Sequence, residues 1–339
     1  MKVFINKLFI FAIPIILFVL LIIISDPYNY FNVLKLISDN TKKESIGRSP
    51  ETMVLGSVLI KTHEYKKSPS PYLILGDSRA YNLNTSHINE ISGVKYFNMG
   101  IPGGNYRTLI NLFWFANSKI KLKKVYIFIS FHNYIKSWGS DLFSEAVSVD
   151  KTITPYFTRP LLVNQAFYNY TLFIKEIISH KRFNPYKISK NKPQKKVPFV
   201  RKENKQLWDK RINEQKDHFV HWYKRADDYH DSIIKISDYC KKNNIEVCFI
   251  IAPNHSDFHK LIKEVNLESE MLKFKRDFCQ LAEVFDYDYD NVYTLNRSLF
   301  SDIFHANDSV YSIVCKEVWG KNQSIKFAIH SFPDSLKIK

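Results

Sequence analysis

Two short stretches, far apart in the chain, carry residue types that can do acyl chemistry together. Gly76-Asp77-Ser78-Arg79 closes the apolar run YLILG at 72–76, and Ser301-Asp302-Ile303-Phe304-His305 lies near the C-terminus. A serine at a strand-to-helix turn sits at the positive end of the following helix. Its hydroxyl then faces the crevice over the sheet, and its own N–H is free to bind an oxyanion. An aspartate three residues before a histidine can hold the imidazole from its far side, fix its tautomer and stabilise the imidazolium. That histidine can then act as general base to a serine brought from another strand end. The expected roles are Ser78 as nucleophile, His305 as base and Asp302 as its orienting group.

Other groups carry weaker signals. Arg79, beside the nucleophile, and His255, in Pro253-Asn254-His255 after an apolar strand, are candidate substrate contacts. His255 and His259 can share a helix face with Asp257, but a metal site needs a third ligand and an open position. Neither a metal nor any other cofactor is expected.

These motifs resemble those of the SGNH/GDSL hydrolase superfamily. The first family block is GDS around the nucleophile, here Gly76–Ser78, and the fourth is Asp-x-x-His, here Asp302 and His305. The second supplies an oxyanion-hole glycine after the second strand. Asn98-Met99-Gly100-Ile101-Pro102-Gly103-Gly104 is similar, with Gly103 the better match. The third is Gly-x-Asn after the third strand. It reads Phe131-His132-Asn133 here, so the asparagine is present and the glycine is not. The resemblance spans about 72–320 and implies ester chemistry, with the N–H groups of Ser78 and Gly103 and the Asn133 side chain binding the oxyanion. It also implies a flavodoxin-like arrangement of the sheet.

The elements that must position these residues alternate. Strands are expected at 72–76, 95–99, 124–131, 245–253 and 283–288. Helices are expected at 79–92, 107–119, 227–244, within 256–281, and at 308–320 with Asp308 as N-cap and Gly320 past the end. Near-continuously apolar strands separated by helices argue for an α/β fold, a doubly wound, mostly parallel five-stranded sheet covered on both faces. Sites in such sheets form at the carboxyl ends of the strands, where Ser78 falls. The sequence divides into 1–25, a lead-in at 26–70, core halves at 71–134 and 227–325, an insertion at 135–226 and a tail at 326–339.

Composition bounds the rest. At 45% apolar residues in 339, the chain can bury a real core, which excludes general disorder. Only four cysteines exclude a disulfide-dense scaffold. They are expected to be buried and apolar, with Cys240–Cys248 the nearest pair should one bond form. Residues 8–25 carry no charge and are flanked by Lys2 and Lys7. As a helix they would be about 27 Å long, close to the ~30 Å hydrocarbon core. They read as a transmembrane signal anchor, which would leave about 310 residues on the outer face of a cell membrane. Lys and Arg number 49 against 33 Asp and Glu, a net charge of +16. Residues 175–225 hold 16 basic and 5 acidic residues, an excess of +11. Such a surplus suits a polyanionic partner. Outside the cytoplasm that would be an anionic glycan or lipid headgroups rather than nucleic acid.

Together these features suggest a membrane-anchored serine esterase or O-acyltransferase acting on an envelope polysaccharide. By its resemblance, a transferase would need a multi-span membrane acyltransferase as partner. A non-catalytic carbohydrate-binding or assembly factor on the same fold is the alternative.

Overall fold

A computed structural model describes residues 2–26, 28, 31, 34, 37, 50–136, 143–144, 146–147, 157, 163–168, 170–171, 174, 205–320 and 326–333. The chain forms two compact units, Met1–Lys67 with Leu142–Lys195, and Ser68–Asp141 with Lys196–Lys339.

In the first unit, α1 (Lys2–Ser25) contains the apolar run, and α2 (Pro50–Lys67) occupies part of the expected lead-in. Among the described residues, no helix is long and apolar enough to cross a membrane. The transmembrane anchor, the single-pass topology and the cell-membrane address built on residues 8–25 are therefore corrected. Two features of α1 separate it from the uninterrupted apolar rod those readings assumed. Pro14 lies inside it, removing a backbone donor and crowding the preceding turn. Its C-terminal end is engaged by the protein: Ile22 and Ser25 are fully buried, and the Phe18 ring lies 6.3 Å from that of Phe167.

The second unit is a sheet covered by helices. In chain order its elements are β1 (Tyr72–Gly76), α3 (Ser78–Tyr81), α4 (Thr85–Ser92), β2 (Phe97–Gly100), α5 (Tyr106–Lys119), β3 (Lys124–Ile129), α6 (Lys205–Trp222), α7 (Asp227–Lys242), β4 (Glu246–Ile251), α8 (Ser256–Glu264), α9 (Glu268–Cys279), β5 (Glu283–Asp286), α10 (Asp308–Trp319) and β6 (Ile329–Ser331). The sheet order is β2-β1-β3-β4-β5-β6. The first five strands pair in parallel, and their order, 2-1-3-4-5, is the flavodoxin-like doubly wound one.

Among the described residues the sheet has six strands, not five; it is mostly parallel, as expected, with one antiparallel strand. β6 pairs antiparallel with β5 and falls in the stretch read as a tail. Three residues are too few to show a period. The strand is held from outside itself: the buried Glu317 carboxylate accepts the N–H groups of Lys326, Phe327 and Ala328 at 2.7–3.0 Å. His330 stacks on Phe285 at 4.2 Å and bonds Glu283 at 2.8 Å.

The core follows from the apolar runs. Leu73, Ile74 and Leu75 of β1 and Cys248, Phe249, Ile250 and Ile251 of β4 are fully buried. Each large side chain so placed contributes roughly 1.5–3 kcal/mol. On one face Trp319 of α10 meets Tyr126 at 4.7 Å; on the other Phe278 of α9 meets Phe249 at 4.9 Å. The four cysteines are unpaired, so no Cys240–Cys248 bond forms.

The helix expected over 79–92 is two helices. Asn84 caps α4 by accepting the His87 N–H at 3.1 Å, and a capping asparagine ends the preceding turn as it starts the next. The N-cap of α10 is Asn307, which accepts the N–H groups of Ser309 and Val310; Asp308 is the first helical residue. Of the basic insertion, the C-terminal part forms α6. Its most basic stretch, KISKNKPQKK at 187–196, lies outside the described residues.

Candidate active site

Ser78, Asp302 and His305 meet at the carboxyl end of the sheet. Ser78 Oγ lies 2.7 Å from His305 Nε2. His305 Nδ1 lies 2.8 and 2.9 Å from the two Asp302 oxygens. Asp302 also accepts the backbone N–H groups of Phe304 and His305, each at 2.9 Å. Burial alone would raise the Asp302 pKa. The hydrogen bond and charge of His305, with those two N–H groups, outweigh burial and hold it at about 2. An ionised carboxylate only accepts, so the hydrogen between the two must sit on Nδ1. In the neutral imidazole Nε2 then carries the lone pair and accepts from the Ser78 hydroxyl, which is the tautomer a general base needs.

The loop holding Asp302 and His305 is closed at its base. Phe300 bridges Ala306, the Ser301 N–H donates to His305 O at 2.9 Å, and the Asn307 N–H donates to Leu299 O at 2.7 Å. Its apolar side chains point inward: Ile303 is fully buried, and Phe304 stacks on His132 at 4.2 Å and meets Phe258 at 5.3 Å.

Ser78 is the first residue of α3, which has only four residues. So short a helix has little macrodipole, and any anion binding here falls to individual N–H groups. α3 is held against β2 by close backbone approach. A Cβ on Gly100 would stand 2.3 Å from Tyr81 N, and Asn98 Nδ2 donates to Ala80 O at 2.7 Å. Asn98, the polar residue of an otherwise apolar strand, is the signal of this role in the sequence.

Gly103 sits in the turn Ile101-Pro102-Gly103-Gly104. The Gly104 N–H donates to Ile101 O at 2.9 Å, and Gly103 has φ +67°. Proline followed by a positive-φ glycine is the pattern of a type II turn. Neither the Ser78 N–H nor the Gly103 N–H has an acceptor among the described residues.

Asn133 lies in a 3-10 turn (Phe131–Asn133) after β3 and is buried. Its Nδ2 donates to Asp77 Oδ2 at 2.8 Å. Phe131, which replaces the expected glycine, is a core residue whose ring packs on Phe219, Tyr223 and Phe274 at 5.8–5.9 Å.

The two candidate substrate contacts are placed elsewhere. Arg79 is 1% exposed and turned onto Asp77, away from solvent. His255 is buried between Trp208 and Phe300, at 4.9 and 5.5 Å. It caps α8 by accepting the Asp257 N–H at 3.1 Å, and its own N–H donates to Ile303 O at 2.9 Å. Both side chains are thus engaged inside the protein: His255 anchors the loop that carries Asp302 and His305, and Arg79 pairs with Asp77 next to Ser78. His259 pairs with Asp288 at 2.8 Å and Asp290 at 2.7 Å rather than with His255.

Asp77 has a role of its own beyond the nucleophile motif. It is the N-cap of α3, accepting the Arg79 N–H at 2.9 Å. Its signal was its place: an aspartate directly before a helix start.

No family model matches the chain, and no curated protein matches it. Among solved structures, one from Streptococcus pneumonia, described as a candidate platelet activating factor, is a distant neighbour. Its TM-score is 0.40 at 12% identity, over 78% of this chain and 92% of that one.

Proposed function

We propose that the second unit is a serine ester hydrolase or acyltransferase of the SGNH type. The observation that carries this reading is the continuous hydrogen-bonded line from Ser78 Oγ through His305 to Asp302; the N–H groups of Ser78 and Gly103 have no acceptor among the described residues. Ser78 Oγ attacks an acyl carbonyl as its proton passes to His305 Nε2. The imidazolium is stabilised by the Asp302 carboxylate. The oxyanion of the tetrahedral intermediate is received by the N–H groups of Ser78 and Gly103. Its collapse expels the alcohol, which takes the proton back from His305 and leaves an acyl-Ser78. Water, or the hydroxyl of an acceptor, then attacks with His305 again as base, giving hydrolysis or transfer.

The charge of +16 supports an anionic carrier of the ester, such as an acylated anionic glycan. The test is labelling of the protein by a fluorophosphonate, followed by p-nitrophenyl acetate turnover with and without Ser78→Ala. Labelling at Ser78 and turnover lost in the variant are expected. No labelling of the folded protein, as a non-catalytic glycan-binding factor would behave, overturns the enzyme reading.

A further inference from the structure

The triad makes no use of a guanidinium buried beside its nucleophile. Arg79 is among the largest fully buried side chains of the protein. Its Nε donates to Asp77 Oδ1 at 3.1 Å, and its Nη2 donates to Asp77 Oδ2. Its Nη1 stands 3.5 Å from Asn254 Oδ1. Asp77 Oδ2 in turn accepts from Asn133 Nδ2, so Arg79 and Asn133 share one carboxylate oxygen.

We propose that Arg79 is a positioning residue that, by holding Asp77 as a carboxylate, fixes the Asn133 amide so that a second N–H is left for the oxyanion. The inference rests on the ester chemistry proposed above. An amide presents a carbonyl or an NH2 group with almost the same shape, and it flips unless its partners choose. A carboxylate has lone pairs and no hydrogen, so only the NH2 side can face Asp77. One of the two hydrogens on Nδ2 is then committed to Asp77, and the other is available at the same nitrogen. A protonated Asp77 loses this selectivity, because its O–H can donate to the oxygen of the flipped amide.

The charge state of Asp77 has identifiable causes. Burial pushes it up; the charge and hydrogen bonds of Arg79 outweigh that and hold it at about 2. His132 from the turn after β3, Tyr106 from α5 and Tyr311 from α10 also interact with Asp77, and the Asp288 carboxylate after β5 acts on Arg79. Burial holds His132 well below its usual value and both tyrosines above theirs, so all three are neutral near pH 7. Arg79 is then the one cation among the groups named.

The experiment is a double-mutant cycle on kcat with p-nitrophenyl acetate, using Asn133→Ala, Arg79→Met and their combination. Loss of one oxyanion donor costs ~100- to 1000-fold. Asn133→Ala is expected to lower kcat ~100-fold with KM nearly unchanged, and Arg79→Met ~10- to 100-fold. The combination is expected to fall no further than ~3-fold below Asn133→Ala, because Arg79 acts through that amide. The kcat profile of Arg79→Met is also expected to gain an acid-side ionisation from Asp77 that Asp77→Asn/Arg79→Met lacks. The latter variant removes both charges together and serves in place of Arg79→Met should the single variant fail to melt cooperatively. Wild-type kcat in the folded Arg79 variant, or losses that multiply in the combination, overturn the inference while leaving the ester reading standing. A wild-type protein with neither labelling nor turnover overturns both.

Discussion

Ser78 Oγ and His305 Nε2 lie 2.7 Å apart although 227 positions separate them in the chain. The sheet supplies one end of this contact and a closed loop the other. Ser78 lies two residues past the carboxyl end of β1, whereas His305 is carried by a turn pinned at Phe300–Ala306 and buried through Ile303. The division of labour gives the first prediction. His305→Ala removes the group that moves the proton and is expected to lower kcat by ~10⁴-fold or more. Asp302→Asn removes only orientation and charge and is expected to leave a measurable remainder. Steady-state turnover of p-nitrophenyl acetate checks both, and equal activity in wild type and His305→Ala would remove the assignment.

The second prediction concerns the turn at Gly103. Its φ of +67° strains any residue with a Cβ, and its N–H has no acceptor among the described residues. Gly103→Ala is expected to cost ~1 kcal/mol of stability and to lower kcat ~10- to 100-fold by moving that N–H. Denaturant unfolding and turnover measured on the same preparation separate the two effects. A variant with both values unchanged would take Gly103 out of the oxyanion site.

Most of what places Ser78 could be read in the sequence, because parallel strands are written as continuous apolar runs. YLILG and IEVCFIIAP announce β1 and β4 whatever lies between them. What could not be read depends on contacts across the fold. β6 exists because Glu317, on another element, binds three of the N–H groups leading into it. Arg79 looks like a surface residue on composition alone, and only the buried Asp77 explains why it is inside. The apolar run of α1 has the composition of a span, but hydropathy summed along a chain does not register where Pro14 falls or that Ile22 is covered.

His259 gives the third prediction. Burial would lower its pKa, but the charge and hydrogen bond of Asp288, with Asp290, raise it to about 9. A group whose folded pKa is raised contributes stability that is fully present below its ordinary value of ~6.5. That contribution is lost as pH rises through the folded value. The protein is therefore expected to lose on the order of 1–3 kcal/mol of unfolding free energy between about pH 6.5 and pH 9. His259→Gln should flatten the curve over that range. Chemical denaturation at several pH values reads this out, and identical slopes in the two proteins would show that the cluster carries no such linkage.

The last prediction concerns Lys192, Lys195, Lys196, Arg201 and Lys202, which lie outside the described residues. If the excess of +11 over residues 175–225 binds an anionic glycan, the attraction is long-ranged and screened by salt. The Debye length falls from ~10 Å at 0.1 M to ~3 Å at 1 M, so affinity should drop steeply over that range. Hydrolysis of p-nitrophenyl acetate should barely change, because that ester is neutral and small and the triad needs no remote charge. Replacing the five residues by serine is accordingly expected to weaken binding of an anionic glycan at low salt and to reduce its salt dependence, with kcat for the small ester preserved. A solvated basic face with no partner gives the opposite pattern. The quintuple variant would then bind as wild type does at every salt concentration, and the source of any substrate preference would have to lie in the residues around Ser78 itself.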